Sequence, residues 1–261
     1  MQVIRFIPVP FVVLTLILSG CASTAVERAT YPSPDGKADS GASAFADAGT
    51  SVLAQRNLVE ASLFSSHLCG ALMIDGATAV TARHCVTNRK AADLAIVTGV
   101  VDLCEEGSPE IIPVKRLHFP DDAALDVVVL ELEWPSDTKF AAAFEQTQAD
   151  DQLVAVGWGS ASEGGFFGCE MKQLPLTVTG HPLCEDSMPG GSGAFFCARG
   201  ADKFNTCSGD SGSPVFRVSQ RQMVAVGFTV GGVGCSPDDI GVYFSLNHLG
   251  TVFPEKARSV G

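Results

Sequence analysis

Cysteine placement limits this chain more than any other property. Nine cysteines occur, and the first, Cys21, stands just behind an apolar run, Phe6 to Leu18, that follows Arg5. The run is too short for a comfortable membrane span and has the length and flank of a signal-peptide core, so the chain is read as exported. With Cys21 set apart, eight cysteines remain, an even number suited to disulfides in an oxidising compartment. No Cys-x-x-Cys pair or Cys/His group at zinc spacing occurs, so the thiols are not read as metal ligands. Between the cysteines run short Val/Ile/Leu/Phe segments punctuated by 27 glycines and 14 prolines, a pattern of strands rather than long amphipathic helices. At 261 residues and 46% hydrophobic side chains the chain can bury a substantial core, as one domain or as two fused halves. The formal net charge of −12 argues against a nucleic-acid partner, and no cofactor is expected.

The stretch Cys207-Ser208-Gly209-Asp210-Ser211-Gly212-Ser213-Pro214 puts a nucleophile, flexible glycines and an anion behind a cysteine. A serine hydroxyl becomes a nucleophile only with a base to take its proton and donors to hold the oxyanion it creates. Gly209, without a Cβ, can turn its N–H toward the same point as the N–H of Ser211. An α/β-hydrolase elbow would need Gly-x-Ser-x-Gly and the order Ser, acid, His. Here the fifth residue is Ser213, and the candidate His and Asp lie upstream.

The stretch closely resembles the nucleophile segment of the chymotrypsin-like (trypsin fold) serine proteases, Gly-Asp-Ser-Gly-Gly-Pro, with Ser213 as the departure. Thr81-Ala82-Arg83-His84-Cys85 is similar to that family's Thr-Ala-Ala-His-Cys, and Ala124-Leu125-Asp126-Val127-Val128-Val129-Leu130 to its Asn-Asp-Ile-Ala-Leu-Leu. The resemblance makes His84 the general base, Asp126 its orienting partner, Ser211 the nucleophile, and Gly209 and Ser211 the oxyanion donors. An aspartate entering so apolar a strand also needs a partner on physical grounds. His67, His118, His181 and His248 are read as non-catalytic. Glu105 and Glu106 lie in a loop where relatives sometimes bind calcium, but two carboxylates without further oxygen ligands are not read as a site.

The resemblance also implies disulfides Cys69–Cys85, Cys184–Cys197 and Cys207–Cys235, which leaves Cys104 with Cys169 by elimination. It implies two six-stranded antiparallel β-barrels, an all-β fold with a short C-terminal helix. The first barrel spans about 51–140 and the second about 141–250, within a protease domain at 51–261. Leu153-Val154-Ala155-Val156-Gly157-Trp158-Gly159 is similar to the Gly-Trp-Gly strand that opens the second barrel. Asn205, six residues before Ser211, corresponds to the base of the pocket for the side chain preceding the scissile bond. Gly241 and either Gly231 or Gly232 correspond to its walls. A neutral base argues against strong Lys/Arg preference. Many members are activated when a cleaved Ile-Val-Gly-Gly terminus reaches the aspartate before the nucleophile, here Asp210. No such motif precedes Cys69, so Asp210 needs another partner or an unrecognised cleavage.

Leu18-Ser19-Gly20-Cys21-Ala22 resembles a bacterial lipoprotein signal, which implies a signal peptide at 1–20 and a lipidated Cys21. Cleavage after Ala25 would instead release a soluble protein. Residues 21–50, rich in Ala, Ser, Thr, Pro, Gly and Asp, read as a flexible tether or pro-segment. The expectation is an exported serine endopeptidase acting on proteins or peptides. It is monomeric and anchored through Cys21 in a bacterial envelope, at the outer membrane, or else secreted. The alternative is an inactive envelope-anchored binding or adhesion module of the same fold.

Overall fold

The computed structural model describes residues 42–254 apart from 106, 139, 141, 143, 180–192, 202–203, 220–222 and 237. The expected signal peptide, Cys21, His181 and Cys184 therefore lie outside the described residues. No helix among the described residues is long and apolar enough to cross a membrane.

Two closed six-stranded antiparallel barrels make up the fold. The first contains β1 (Thr50–Gln55), β2 (His67–Asp75), β3 (Thr78–Thr81), β4 (Leu94–Thr98), β5 (Glu110–His118) and β6 (Val128–Leu132). Its order is β1-β2-β3-β6-β5-β4, and β1 pairs with β4 to close it. The second contains β7 (Gln152–Gly157), β8 (Lys172–Val178), β9 (Phe195–Gly200), β10 (Pro214–Val218), β11 (Met223–Gly232) and β12 (Gly241–Ser245). Its order is β10-β11-β12-β9-β8-β7, with β10 pairing β7.

The strands form where the apolar runs have no room for a solvent face. Every residue of β3, β4 and β12 is buried, the terminal Thr78, Thr81, Thr98 and Ser245 included. The β2–β3 turn closes on Asp75, whose Oδ1 accepts from the Ala77 N–H at 2.8 Å, an aspartate turn competing with strand extension. Trp158, Phe216, Phe228, Tyr243 and Phe244 are fully buried in or beside the second barrel, and Leu53, Leu72, Met73, Ile74 and Ile96 in the first. Each such side chain contributes about 1.5–3 kcal/mol by leaving water. The chain ends its described course in a single 3-10 turn, Leu246–His248, and a short helix, Leu249–Val252.

A further helix, α1 (Ala42–Asp47), lies within the stretch expected to be a tether. Ala42, Phe45 and Ala46 are buried, and the Phe45 ring meets Phe216 of β10 edge-on at 5.1 Å. Phe45, one helical turn after Ala42, is enough to dock the segment. The small residues around it give the segment the composition of a linker.

Both barrels contribute to one continuous apolar cluster, and specific bonds cross the seam. The Gly70 N–H of β2 donates to the Ser211 carbonyl at 2.8 Å. The Trp158 indole N–H donates to the Val101 carbonyl at 3.1 Å. The Leu103 N–H reaches the Cys169 carbonyl at 2.8 Å, next to the Cys104–Cys169 disulfide.

Candidate active site

Histidine 84 lies in the 3-10 turn Arg83–Cys85 that ends β3, and the Cys69–Cys85 disulfide ties that turn to β2. Asp126 stands just before β6 between the buried Leu125 and Val127. Its carboxylate grips the histidine twice. Oδ2 lies 2.7 Å from Nδ1 of the ring, and Oδ1 accepts the His84 backbone N–H at 2.9 Å. An ionised carboxylate can only accept, so Nδ1 carries the proton and Nε2 of the neutral ring is left able to accept one. The hydrogen bond to Asp126 is the main cause that raises the His84 pKa above the ordinary 6.5; partial burial opposes it and the aspartate charge adds to it.

Ser211 reaches the same seam by its backbone. Its carbonyl takes the Gly70 N–H, and the Thr81 hydroxyl donates to the Gly70 carbonyl at 2.8 Å. Gly70 adjoins Cys69, so one disulfide and two hydrogen bonds connect the serine loop to the histidine turn. Gly212 has φ of +78° and packs on Thr81 and Gly70, leaving no space for a Cβ. Among the described residues the Ser211 hydroxyl has no hydrogen-bond partner, His84 included.

The turn before the serine has its peptides oriented. The Ser208 carbonyl accepts the Ser160 N–H at 2.8 Å, and the Asp210 carbonyl accepts the Ser213 N–H at 2.9 Å. A trans peptide points its N–H opposite its carbonyl, so the N–H groups of Gly209 and Ser211 face away from those two anchors. Neither N–H has an acceptor among the described residues. Gly209 holds φ of +95°, which favours glycine. Asp210 is partly buried, with Oδ1 taking the Gly159 N–H and Oδ2 the Cys207 N–H, each at 2.9 Å. Burial pushes its carboxyl up to about 6, against those two bonds and the charge of Lys172.

A cavity of about 290 Å³ opens beside Ser211, lined by Glu163, Thr206, Thr229, Gly231 and Gly232 among others. Gly231 and Gly232, the two candidates for one wall, both line it. Asn205 does not line this cavity: its amide is spent on the Asp239 carbonyl and the Thr206 N–H, both at 2.9 Å. It borders instead a smaller cavity with Lys172 and Asp210. Gly241 is paired with Gly232 in the sheet and packs on Tyr243, also off the lining. The sequence reading missed Glu163 and Thr206. Glu163 sits in a Gly-rich loop whose course no local pattern specifies, whereas Thr206, next to Cys207, could have been found by position.

The disulfides Cys69–Cys85, Cys104–Cys169 and Cys207–Cys235 are present. Cys197 is disulfide-bonded as well, while Cys184 lies outside the described residues. Two groups bring possible metal donors within 4.8 Å, Cys69/His84/Cys85 and Asp102/Cys104/Cys169, but both sulfurs of each are joined in a disulfide. Two other described histidines have separate surroundings. His67 is buried against Phe167 and Trp158, and burial lowers its pKa to about 4. His118 bonds Glu131 at 3.0 Å.

Residues 49–251 match the family model described as Trypsin. A trypsin of Saccharopolyspora erythraea is 30% identical over 202 residues, covering 73% of this chain and 87% of the relative. Trypsin-1 of Astacus astacus is 29% identical over 208 residues, covering 71% and 86%. Trypsin eta of Drosophila erecta is 28% identical over 198 residues, covering 69% and 74%. With the family model spanning most of its length and its strands closed into two six-stranded barrels, the chain belongs to the trypsin family of chymotrypsin-like serine proteases.

Proposed function

We propose that this protein is a serine endopeptidase with His84, Asp126 and Ser211 as its triad. The observation that carries the reading is the double grip of Asp126 on His84, at 2.7 and 2.9 Å, which fixes the tautomer a general base needs. His84 Nε2 takes the proton of the Ser211 hydroxyl as Oγ attacks the substrate carbonyl, and Asp126 stabilises the imidazolium that forms. The N–H groups of Gly209 and Ser211 receive the oxyanion. His84 then returns the proton to the leaving amine, and the acyl-enzyme is hydrolysed by a water that His84 deprotonates in turn. The bond between His84 and Ser211 forms as substrate closes the site, since such contacts tighten on binding. Substrates are proteins or peptides whose side chain enters the cavity walled by Gly231 and Gly232.

Cleavage of a peptide library by the purified protein tests this reading. Wild type should hydrolyse a subset of peptides, and Ser211→Ala should lose at least about 10⁴-fold in kcat/KM. Folded wild-type protein that cleaves nothing would leave the binding-module reading in its place. We further propose that Cys21 carries the lipid that holds the domain at the envelope. Mass spectrometry of the mature N-terminus should find a diacylglyceryl cysteine there, and Cys21→Ser should release the protein from membranes.

A further inference from the structure

A cation is built into the frame of the serine loop. Lys172, the first residue of β8, is half-buried and directs its ammonium to the Gly159 carbonyl at 2.9 Å. That carbonyl belongs to the same peptide group as the Ser160 N–H, which donates to the Ser208 carbonyl at 2.8 Å. The Ser208 carbonyl in turn shares its peptide with the Gly209 N–H. A continuous chain therefore runs from ammonium to peptide 159–160, to peptide 208–209, and out through Gly209. On its other side Gly159 donates its own N–H to Asp210 Oδ1 at 2.9 Å. Gly159 is thus held between the Lys172 ammonium and the Asp210 carboxylate next to the nucleophile.

We propose that Lys172 is a positioning residue for the oxyanion donor, orienting and polarising the Gly209 N–H through the Gly159–Ser160 and Ser208–Gly209 peptides. The inference rests on the endopeptidase reading above. Aligned hydrogen bonds polarise one another in series, and a charge at one end strengthens the donor at the other. The effect is largest where charges are withdrawn from water, and loss of hydration is the main influence on Asp210. The ionisable side chains facing Asp210 are Lys172 from β8 and Tyr243 from β12, whose hydroxyl is itself bonded to Thr206 at 3.1 Å. The tyrosine is neutral at ordinary pH, so Lys172 supplies the positive charge from within the folded domain. A cleaved amino terminus is not needed for that purpose, and the uncleaved chain is competent.

The test compares wild type, Lys172→Met, Lys172→Gln and Lys172→Arg, each as the chain from Cys21 onward with that N-terminus verified intact. Hydrolysis of a library-selected peptide is followed, together with inhibition by a peptidyl aldehyde of the same sequence, whose hemiacetal oxygen occupies the donors. Lys172→Met should lower kcat about 10-fold or more with KM within about 2-fold, because only transition-state binding is lost. Aldehyde affinity should fall in parallel, while a peptide amide competitor binds unchanged. A merely structural role would not separate these two ligands. Lys172→Arg should restore kcat. Lys172→Gln keeps a donor without the charge and should fall between, which decides the matter should the methionine variant not fold. Equal kcat for wild type and Lys172→Gln overturns the inference and leaves the protease reading standing. So does a wild type that cleaves only after its N-terminal segment is cut. A wild type inactive in both forms overturns both.

Discussion

At the scale of single residues, two contacts make sharp predictions. The hydrogen bond to Asp126 raises the His84 pKa above 6.5, and the proposed mechanism uses the neutral ring as base. The acid limb of kcat/KM should therefore inflect above that value, with activity lost as pH falls through the raised pKa. Asp126→Asn should lower kcat about 10⁴-fold, because an amide can donate to Nδ1 and so favours the wrong tautomer. It should also move the inflection toward lower pH. A pH–rate profile of both proteins checks this. Ser213 makes the second case. Its hydroxyl is buried without a hydrogen-bond partner, wedged against Gly70 and Gly157. Ser213→Ala removes the stranded hydroxyl and keeps the Cβ, so it should stabilise the fold by about 1 kcal/mol in urea unfolding.

Much of this residue-level chemistry is legible in sequence because it sits in short motifs. His84 lies beside a cysteine, Asp126 at the mouth of an apolar strand, and Ser211 between glycines. What sequence does not carry is the direction a side chain takes once distant strands meet. Asn205 occupies the expected place in the chain, yet its amide turns to the Asp239 carbonyl and away from the cavity. Lys172 has no motif at all. Its role comes from a strand register that aligns Lys172 with Gly157 and brings its ammonium to Gly159.

At the scale of elements, the second barrel is fastened to the first along the path from Val101 to Cys169. The Cys104–Cys169 bridge closes a separation of 65 residues. Beside it the Met171 N–H donates to the Val101 carbonyl and the Leu103 N–H to Cys169, both at 2.8 Å. The double variant Cys104→Ser, Cys169→Ser should lose about 4 kcal/mol by loop-closure entropy. It should still fold, because the hydrogen bonds and the Trp158 contact hold the same approach. Urea unfolding with far-UV circular dichroism of the variant measures both. Helix α1 shows the limit of compositional reading at this scale. Its linker-like residues dock through Phe45 on Phe216, a contact 171 positions apart that no local pattern specifies.

At the scale of the whole molecule, the proposed site belongs to neither barrel alone. The first supplies His84 and Asp126, the second Ser211 and the turn that carries Gly209, and the Gly70–Ser211 hydrogen bond joins them at 2.8 Å. Small misplacements at such a seam cost orders of magnitude in rate, which accounts for the disulfides beside both the histidine turn and the serine loop. The most direct test of that convergence is labelling by a fluorophosphonate, followed by mass spectrometry of the modified peptide. A single adduct on Ser211, formed at a rate that drops about 10³-fold or more in His84→Ala, is the predicted result. A folded wild-type protein that stays unmodified, or one modified on another serine at a rate indifferent to His84, would contradict the account.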